Sequence, residues 1–171
     1  GNMAIGHVRY STTGSSVMRN VQPLVVDYAR GEIAIGHNGN LVNAAGLRDE
    51  LEKQGSIFQT TVDSEIIIHL IAKSQAPFWQ DALVDCLKKI KGAYSLVIMT
   101  QDAICGVRDP FGFRPLCIGR LFSGGYVIAS ETCALDLIQA DFIREVEPGE
   151  IVIINKKGIQ SMKPFAEQTK R

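Results

Sequence analysis

Three short stretches of this 171-residue chain bring chemically capable side chains close together. The first is HNGN, His37 to Asn40. The N–H of Gly39, with no side chain in its way, stands next to the Asn38 side-chain N–H₂. Such a pair of donors can hold a developing oxyanion during acyl transfer. Asn-Gly after an alternating run is also a turn signal, and for the dipeptide alone the turn is the simpler account. The second is GHVRYSTTG, residues 6–14. Arg9 offers a planar fork of donors suited to a carboxylate. Thr12 and Thr13 add hydroxyls, and the glycines at 6 and 14, followed by Ser15 and Ser16, suit a loop that closes as a lid. An exposed polar loop with a solvated arginine accounts for the same residues equally well. The third is TVDSE. Asp63 opens an apolar helix, where an acid commonly satisfies free N–H groups and the helix dipole; it is also an anion that could receive an ammonium group. Read together, an arginine for a carboxylate and an aspartate for an amine suit a free amino acid. The oxyanion donors then face the amide of its side chain, and the combination points to glutamine hydrolysis. A fourth stretch, RDPFGFRPL at 108–116, reads as structural: Arg108, Asp109 and Arg114 in an Arg–Asp network that fixes a tight corner.

The elements that must position these groups follow from hydrophobic period. Residues 3–9 read as a short strand entering a polar loop over 10–22. PLVVDYA and EIAIGH, separated by Arg30-Gly31, alternate as an antiparallel hairpin, with Ile33, Ile35 and His37 on one face. Asn43 can cap a helix over 44–54, with Gly55 just past its end. A second helix over 63–74 carries Ile66, Ile67, Ile68, Leu70 and Ile71 and has so little polar face that it should be buried. A third follows Pro77, with Leu83, Leu87 and Ile90 at helical spacing and Gly92 as its stop. AYSLVIMT, AICGVRD, PLCIGRL, GGYVIAS and EIVIINKKGIQSM then read as strands, with turns at 101–102, 123–125 and 156–158; only 130–139, capped by Ser130, reads as helix in that half. These elements make one α+β domain of antiparallel sheets with helices packed outside.

Composition limits the alternatives. Hydrophobic residues make up 46% of the chain, and eighteen basic residues meet eighteen acidic ones. Without excess positive charge there is no electrostatic footprint for nucleic acid. The basic residues near the C-terminus, Lys156, Lys157, Lys163, Lys170 and Arg171, suit a solvated face. Cys86, Cys105, Cys117 and Cys133 form no Cys-x-x-Cys pair, and the three histidines are far apart in sequence, which argues against a zinc site. Isolated cysteines in apolar runs suit a reducing cytoplasm, and no apolar run is long enough to cross a bilayer.

Taken in order, GHVRYSTTG, HNGNLVN, TVDSE, GAYSL, RDPFGFRPLCIG and ASETCALD resemble the glutamine amidotransferase domain of the amidophosphoribosyltransferase family, class II enzymes with an N-terminal nucleophile. The motifs span residues 6 to about 136. The first three are similar to the wider class II group, including glucosamine-phosphate synthase; RDPFGFRPL followed by ASETCALD is more specific to the phosphoribosyl enzymes. The resemblance implies a four-layer αββα sandwich of two antiparallel sheets. It implies that Arg9 and Thr12 hold the glutamine α-carboxylate, Asp63 its α-ammonium, and Asn38 and Gly39 the oxyanion. Tyr10 would lie near the hinge of a mobile glutamine loop.

The resemblance also implies a nucleophile that the chain does not show. In the family a cysteine at the mature N-terminus attacks the glutamine amide, and its free α-amine acts as general base. This chain begins with Gly1. The expectation is therefore a partial domain over 1–171, lacking the first strands and the nucleophile and inactive by itself. Cys105-Gly106-Val107 imitates the family's opening Cys-Gly-Val, but Cys105 is mid-chain, has no free α-amine, and should be a buried structural thiol. No cofactor is expected in this chain. The phosphoribosyltransferase half, absent from these residues, would bind phosphoribosyl pyrophosphate with magnesium, and in some members carries an iron–sulfur cluster. Expected partners are glutamine and that missing domain, with a homo-oligomer and neither nucleic acid nor membrane. The alternatives are the glutaminase domain of another class II enzyme, of the glucosamine-phosphate synthase type, and a non-catalytic glutamine-binding module.

Overall fold

The computed structural model describes residues 2–8 and 18–165. β1 (Leu24–Tyr28) and β2 (Gly31–Leu41) form the expected hairpin around the Ala29-Arg30 turn. Three helices follow: α1 (Ala44–Lys53), α2 (Asp63–Lys73) and α3 (Trp79–Leu87). The chain then makes β3 (Gly92–Met99), β4 (Ala103–Arg108), β5 (Cys117–Leu121) and β6 (Tyr126–Ala129). A short α4 (Thr132–Leu137) leads into β7 (Ala140–Glu145), β8 (Ile151–Asn155) and β9 (Gly158–Met162).

Among the described residues the strands form two antiparallel sheets. The larger runs β1-β2-β3-β4-β8-β9 and the smaller β6-β5-β7. Period-2 alternation decides what each sheet touches. Ile33, Ile35, Leu96, Ile98, Cys105, Val107, Ile151 and Ile153 turn one face of the larger sheet toward α1–α3 and build the main core with Ile66, Ile67, Leu83 and Leu87. Val97, Val152 and Ile154 on its other face meet Ile118, Tyr126 and Ile128 of the smaller sheet. The far side of the smaller sheet packs Cys117 and Val127 on Leu135 of α4. The four layers are therefore helices, sheet, sheet, helix, the αββα order that the resemblance implied. α2 is buried almost all round, from Ser64 through Ile68 and again at Leu70 and Ile71. Each of its fully buried isoleucines contributes on the order of 1.5–3 kcal/mol of transfer free energy.

Several local expectations change. Residues 3–8 form no regular strand. HNGN is no turn: β2 runs straight through it to Leu41, in register with β3 from Ala34↔Met99 to Leu41↔Gly92. Asn43 makes no side-chain bond to the helix it precedes. Its amide donates to Lys89 O (2.9 Å) and accepts from Lys91 N–H (2.9 Å), tying the start of α1 to the chain entering β3. α3 ends at Leu87, and Gly92 opens β3 rather than stopping the helix. Residue 130 lies outside α4, whose entry residue is Glu131, with no side-chain cap. Residues 140–145, which the hydrophobic period assigned to no element, form β7.

Candidate active site

The site is built on the free part of one strand edge. β1 pairs with β2 only as far as Leu24↔Ile35, while β2 continues to Leu41. In an antiparallel ladder successive N–H groups point to opposite edges. Past Ile35, the even-numbered residues of β2 face β3, as the Val42 N–H to Lys91 O bond (2.8 Å) beyond the strand also shows. His37, Gly39 and Leu41 direct their N–H groups the other way. His37 N–H donates to Gln22 Oε1 at 2.8 Å, and Leu41 N–H donates to Asp63 Oδ2 at 2.9 Å. Gly39 N–H lies between them. Its register partner Tyr94 has turned its own backbone groups to the other side, where Asp109 takes both. Among the described residues, neither Gly39 N–H nor the Asn38 side-chain amide has a hydrogen-bond partner. A strand edge with both flanking donors occupied thus presents one open donor, next to a half-buried amide.

Glycine is required at that point. Gly39 has φ +143°, and a Cβ there would stand 2.0 Å from Ala93 O. Asn-Gly in HNGN therefore records a close backbone approach inside a strand, with the Asn38 side chain on the face opposite Ile35 and Leu41. Asn38 pairs with Ser95, whose hydroxyl donates to Pro115 O (3.0 Å), so the 108–116 corner lies against the same face.

Asp63 is half-buried and is the first residue of α2. No side-chain bond caps that helix; the carboxylate reaches across to β2. Asp63 is a first-turn acid, as the helix-dipole account requires, and its carboxylate is also held two residues from the Gly39 donor. Arg9 and Thr12, expected to hold the α-carboxylate, lie outside the described residues, as does Tyr10. Asn38, Gly39 and Asp63 are brought together.

Five further residues shape the site, and sequence reasoning assigned none of them a role there. Asn20 is fully buried; its amide donates to Thr61 Oγ1 (3.0 Å) and accepts from Thr61 N–H (3.2 Å). Gln22 accepts from Ser64 Oγ (3.2 Å) as well as from His37. Glu65, 6% exposed, accepts from Gln59 N–H, Thr60 N–H and Thr60 Oγ1, each at 2.7 Å, and so holds the segment that delivers Asp63. Arg48 completes that hold, donating to Thr60 O (2.8 Å) with its guanidinium over the Phe58 ring. His37 is 6% exposed, on the helix side of β2, and its Nε2 has no partner among the described residues. Burial pushes its pKa down to about 4 against the opposing pull of Asp63, so it is neutral beside the site. Only the alternation that put His37 on the Ile33–Ile35 face carried a signal for any of these; side-chain amides in an irregular stretch have no period to read.

The corner is structural, as expected, but its charges are wired differently. Asp109 is fully buried and accepts from Phe111 N–H (2.9 Å), Arg114 N–H (3.3 Å) and Tyr94 N–H (3.4 Å). Arg108 donates to the carbonyls of Gly112, Arg114 and Val146, and its ion-pair partner is Glu145 at 2.9 Å. Cys105 is fully buried in the main core, and burial pushes its thiol pKa up.

Comparison with known proteins bears on the family and the fold. The glutamine amidotransferase domain family matches residues 7–137. Amidophosphoribosyltransferase 2, chloroplastic, of Arabidopsis thaliana is 54% identical over 170 residues, covering 98% of this chain and 30% of the relative. A solved structure described as the allosteric regulatory enzyme of purine biosynthesis is 48% identical with a TM-score of 0.89, over 93% of this chain and 34% of that one. Glutamine phosphoribosylpyrophosphate amidotransferase from B. subtilis, solved with ADP and GMP, is 46% identical with a TM-score of 0.87, over 93% and 34%. This chain spans about a third of the length of these relatives. With the sandwich, the open glycine donor and the facing aspartate in place, and a family match that extends over most of its residues, the chain belongs to the glutamine amidotransferase domain family.

Proposed function

We propose that this chain is the glutamine-binding part of an amidophosphoribosyltransferase. The observation that carries the reading is the Gly39 N–H, left open on the β2 edge between a donor held by Gln22 and a donor held by Asp63. Glutamine enters with its side-chain amide toward Gly39 N–H and the Asn38 amide, and its α-ammonium toward Asp63. Arg9 and Thr12 take the α-carboxylate. In the family an N-terminal cysteine thiol attacks the amide carbon and gives its proton to its own α-amine, which passes it to the departing ammonia; the carbonyl oxygen becomes an oxyanion, whose charge Gly39 N–H and the Asn38 amide would stabilise. Ammonia leaves, and the resulting thioester is hydrolysed to glutamate. In the whole enzyme the ammonia would pass to phosphoribosyl pyrophosphate, giving 5-phosphoribosylamine and diphosphate, an early step of purine synthesis. Magnesium would accompany the diphosphate, bound by residues other than these. The four free cysteines suit a reducing compartment, which we take to be the cytoplasm.

None of those four cysteines is the attacking thiol. All are mid-chain, and the family's nucleophile uses a free α-amine beside its sulfur. Calorimetry with glutamine tests the binding reading. The unmutated chain should give a saturable heat, and Asp63→Asn and Arg9→Ala should each weaken affinity tenfold or more, roughly the 1.4 kcal/mol of one charge-assisted contact. Absence of glutamine heat in the unmutated, folded chain would overturn the reading.

A further inference from the structure

Two side chains from distant parts of the chain occupy the donors that flank Gly39. Asp63, at the start of α2, takes Leu41 N–H. Gln22, just after the 3₁₀ turn Met18–Asn20, takes His37 N–H with Oε1, and the same oxygen accepts from Ser64 Oγ at 3.2 Å. Ser64 is fully buried and adjoins Asp63. One carbonyl oxygen therefore ties the β2 edge to the first turn of α2, one residue from the carboxylate that makes the second tie. Glycine at 39 has no side chain with which to fix its own stretch of edge, and β1 has already ended at Leu24.

We infer that Gln22 is a positioning residue for the Gly39 donor: its Oε1 holds His37 N–H and Ser64 Oγ together, fixing the β2 edge against α2 so that Gly39 N–H points out at a set distance from Asp63. An amide oxygen suits the task because its two lone pairs accept both donors without placing a negative charge beside a developing oxyanion. Without that oxygen, His37 N–H and the buried Ser64 hydroxyl lose their partner, and the edge shifts to find others. The functional meaning of this role rests on the glutamine reading above; the positioning itself does not.

Amide NMR of the 171-residue chain tests it. Gln22→Leu should displace the Gly39 and Leu41 amide resonances and speed exchange of His37 N–H. Gln22→Glu keeps an acceptor in place and should return all three close to their unmutated positions. Unchanged Gly39 and Leu41 resonances in folded Gln22→Leu overturn the inference, whatever glutamine does. Should Gln22→Leu not fold, exchange in the unmutated chain decides: His37 N–H protected roughly tenfold or more over Gly39 N–H supports the hold, and equal rates overturn it. Added glutamine separates the two readings. If it moves no resonance of the unmutated chain, the glutamine site fails, while Gln22's hold on Gly39 is still judged by the ligand-free spectra.

Discussion

A methyl group on Gly39 would stand 2.0 Å from the Ala93 carbonyl oxygen, at a φ that side chains rarely adopt. Gly39→Ala should therefore lower stability by about 2 kcal/mol or more, read from urea unfolding, and abolish glutamine binding in the fraction that folds. Gly46 in α1 is the control: a Cβ there meets nothing within 4 Å, and Gly46→Ala should raise stability by roughly 0.5–1 kcal/mol. His37 gives the site a pH signature. Its folded pKa is about 4, held down mainly by burial, while the unfolded chain titrates near the usual 6.5. Between those values the unfolded state binds the extra proton, so the contribution of neutral His37 is complete above pH 6.5 and is lost as pH falls toward 4. Unfolding free energy should decline by up to about 1.4 kcal/mol per pH unit in that window, and His37→Gln should flatten that part of the profile. An unchanged profile in the variant would place the titration elsewhere.

At the scale of elements, the site depends on how α2 is delivered to the edge of β2. The segment before α2 is held by Glu65, Asn20 and Arg48 rather than by a run of regular structure. Glu65→Gln replaces one acceptor oxygen with a donor facing donors, and should cost about 2–3 kcal/mol in urea unfolding. Asp85 supplies a comparison, because it accepts only Ser74 Oγ among the described residues, and Asp85→Asn should cost under about 1 kcal/mol. The same contrast shows what the sequence made legible. The β1–β2 hairpin, the apolar α2 and the strands of the second half were visible because burial on one face or on every face leaves a period. HNGN looked like a turn because Asn-Gly is a local signal, whereas the reason for its glycine is the approach of Ala93 from a strand more than fifty residues away. β7 was hidden for the opposite reason: its residues are mostly exposed, so no apolar alternation marks it. Gln22 and Asn20 carry no period at all; their roles exist only once α2 packs beside β2. Asn38, Gly39 and Asp63 stand out in the sequence as groups that one amino-acid ligand would need, and the fold brings Asp63 to the stretch of β2 that carries the other two.

For the whole molecule, the smaller sheet has three strands against six, and both its outer strands, β6 and β7, have a free edge among the described residues. Phe142 and Ile143 on β7 are about half exposed, and Phe122 in the β5–β6 turn is fully exposed. Unpaired edge strands with apolar side chains template association. Sedimentation equilibrium should show average mass rising with concentration, and Phe142→Lys should lower that rise; a monomer at every concentration would contradict this. The most direct test of the central claim is the Gly39 amide resonance followed during a glutamine titration of the chain. The account predicts a saturable shift of that resonance, lost in Asp63→Asn. A titration in which glutamine binds while Gly39 N–H stays unmoved would contradict it, because the open donor would then not be where the substrate amide lies.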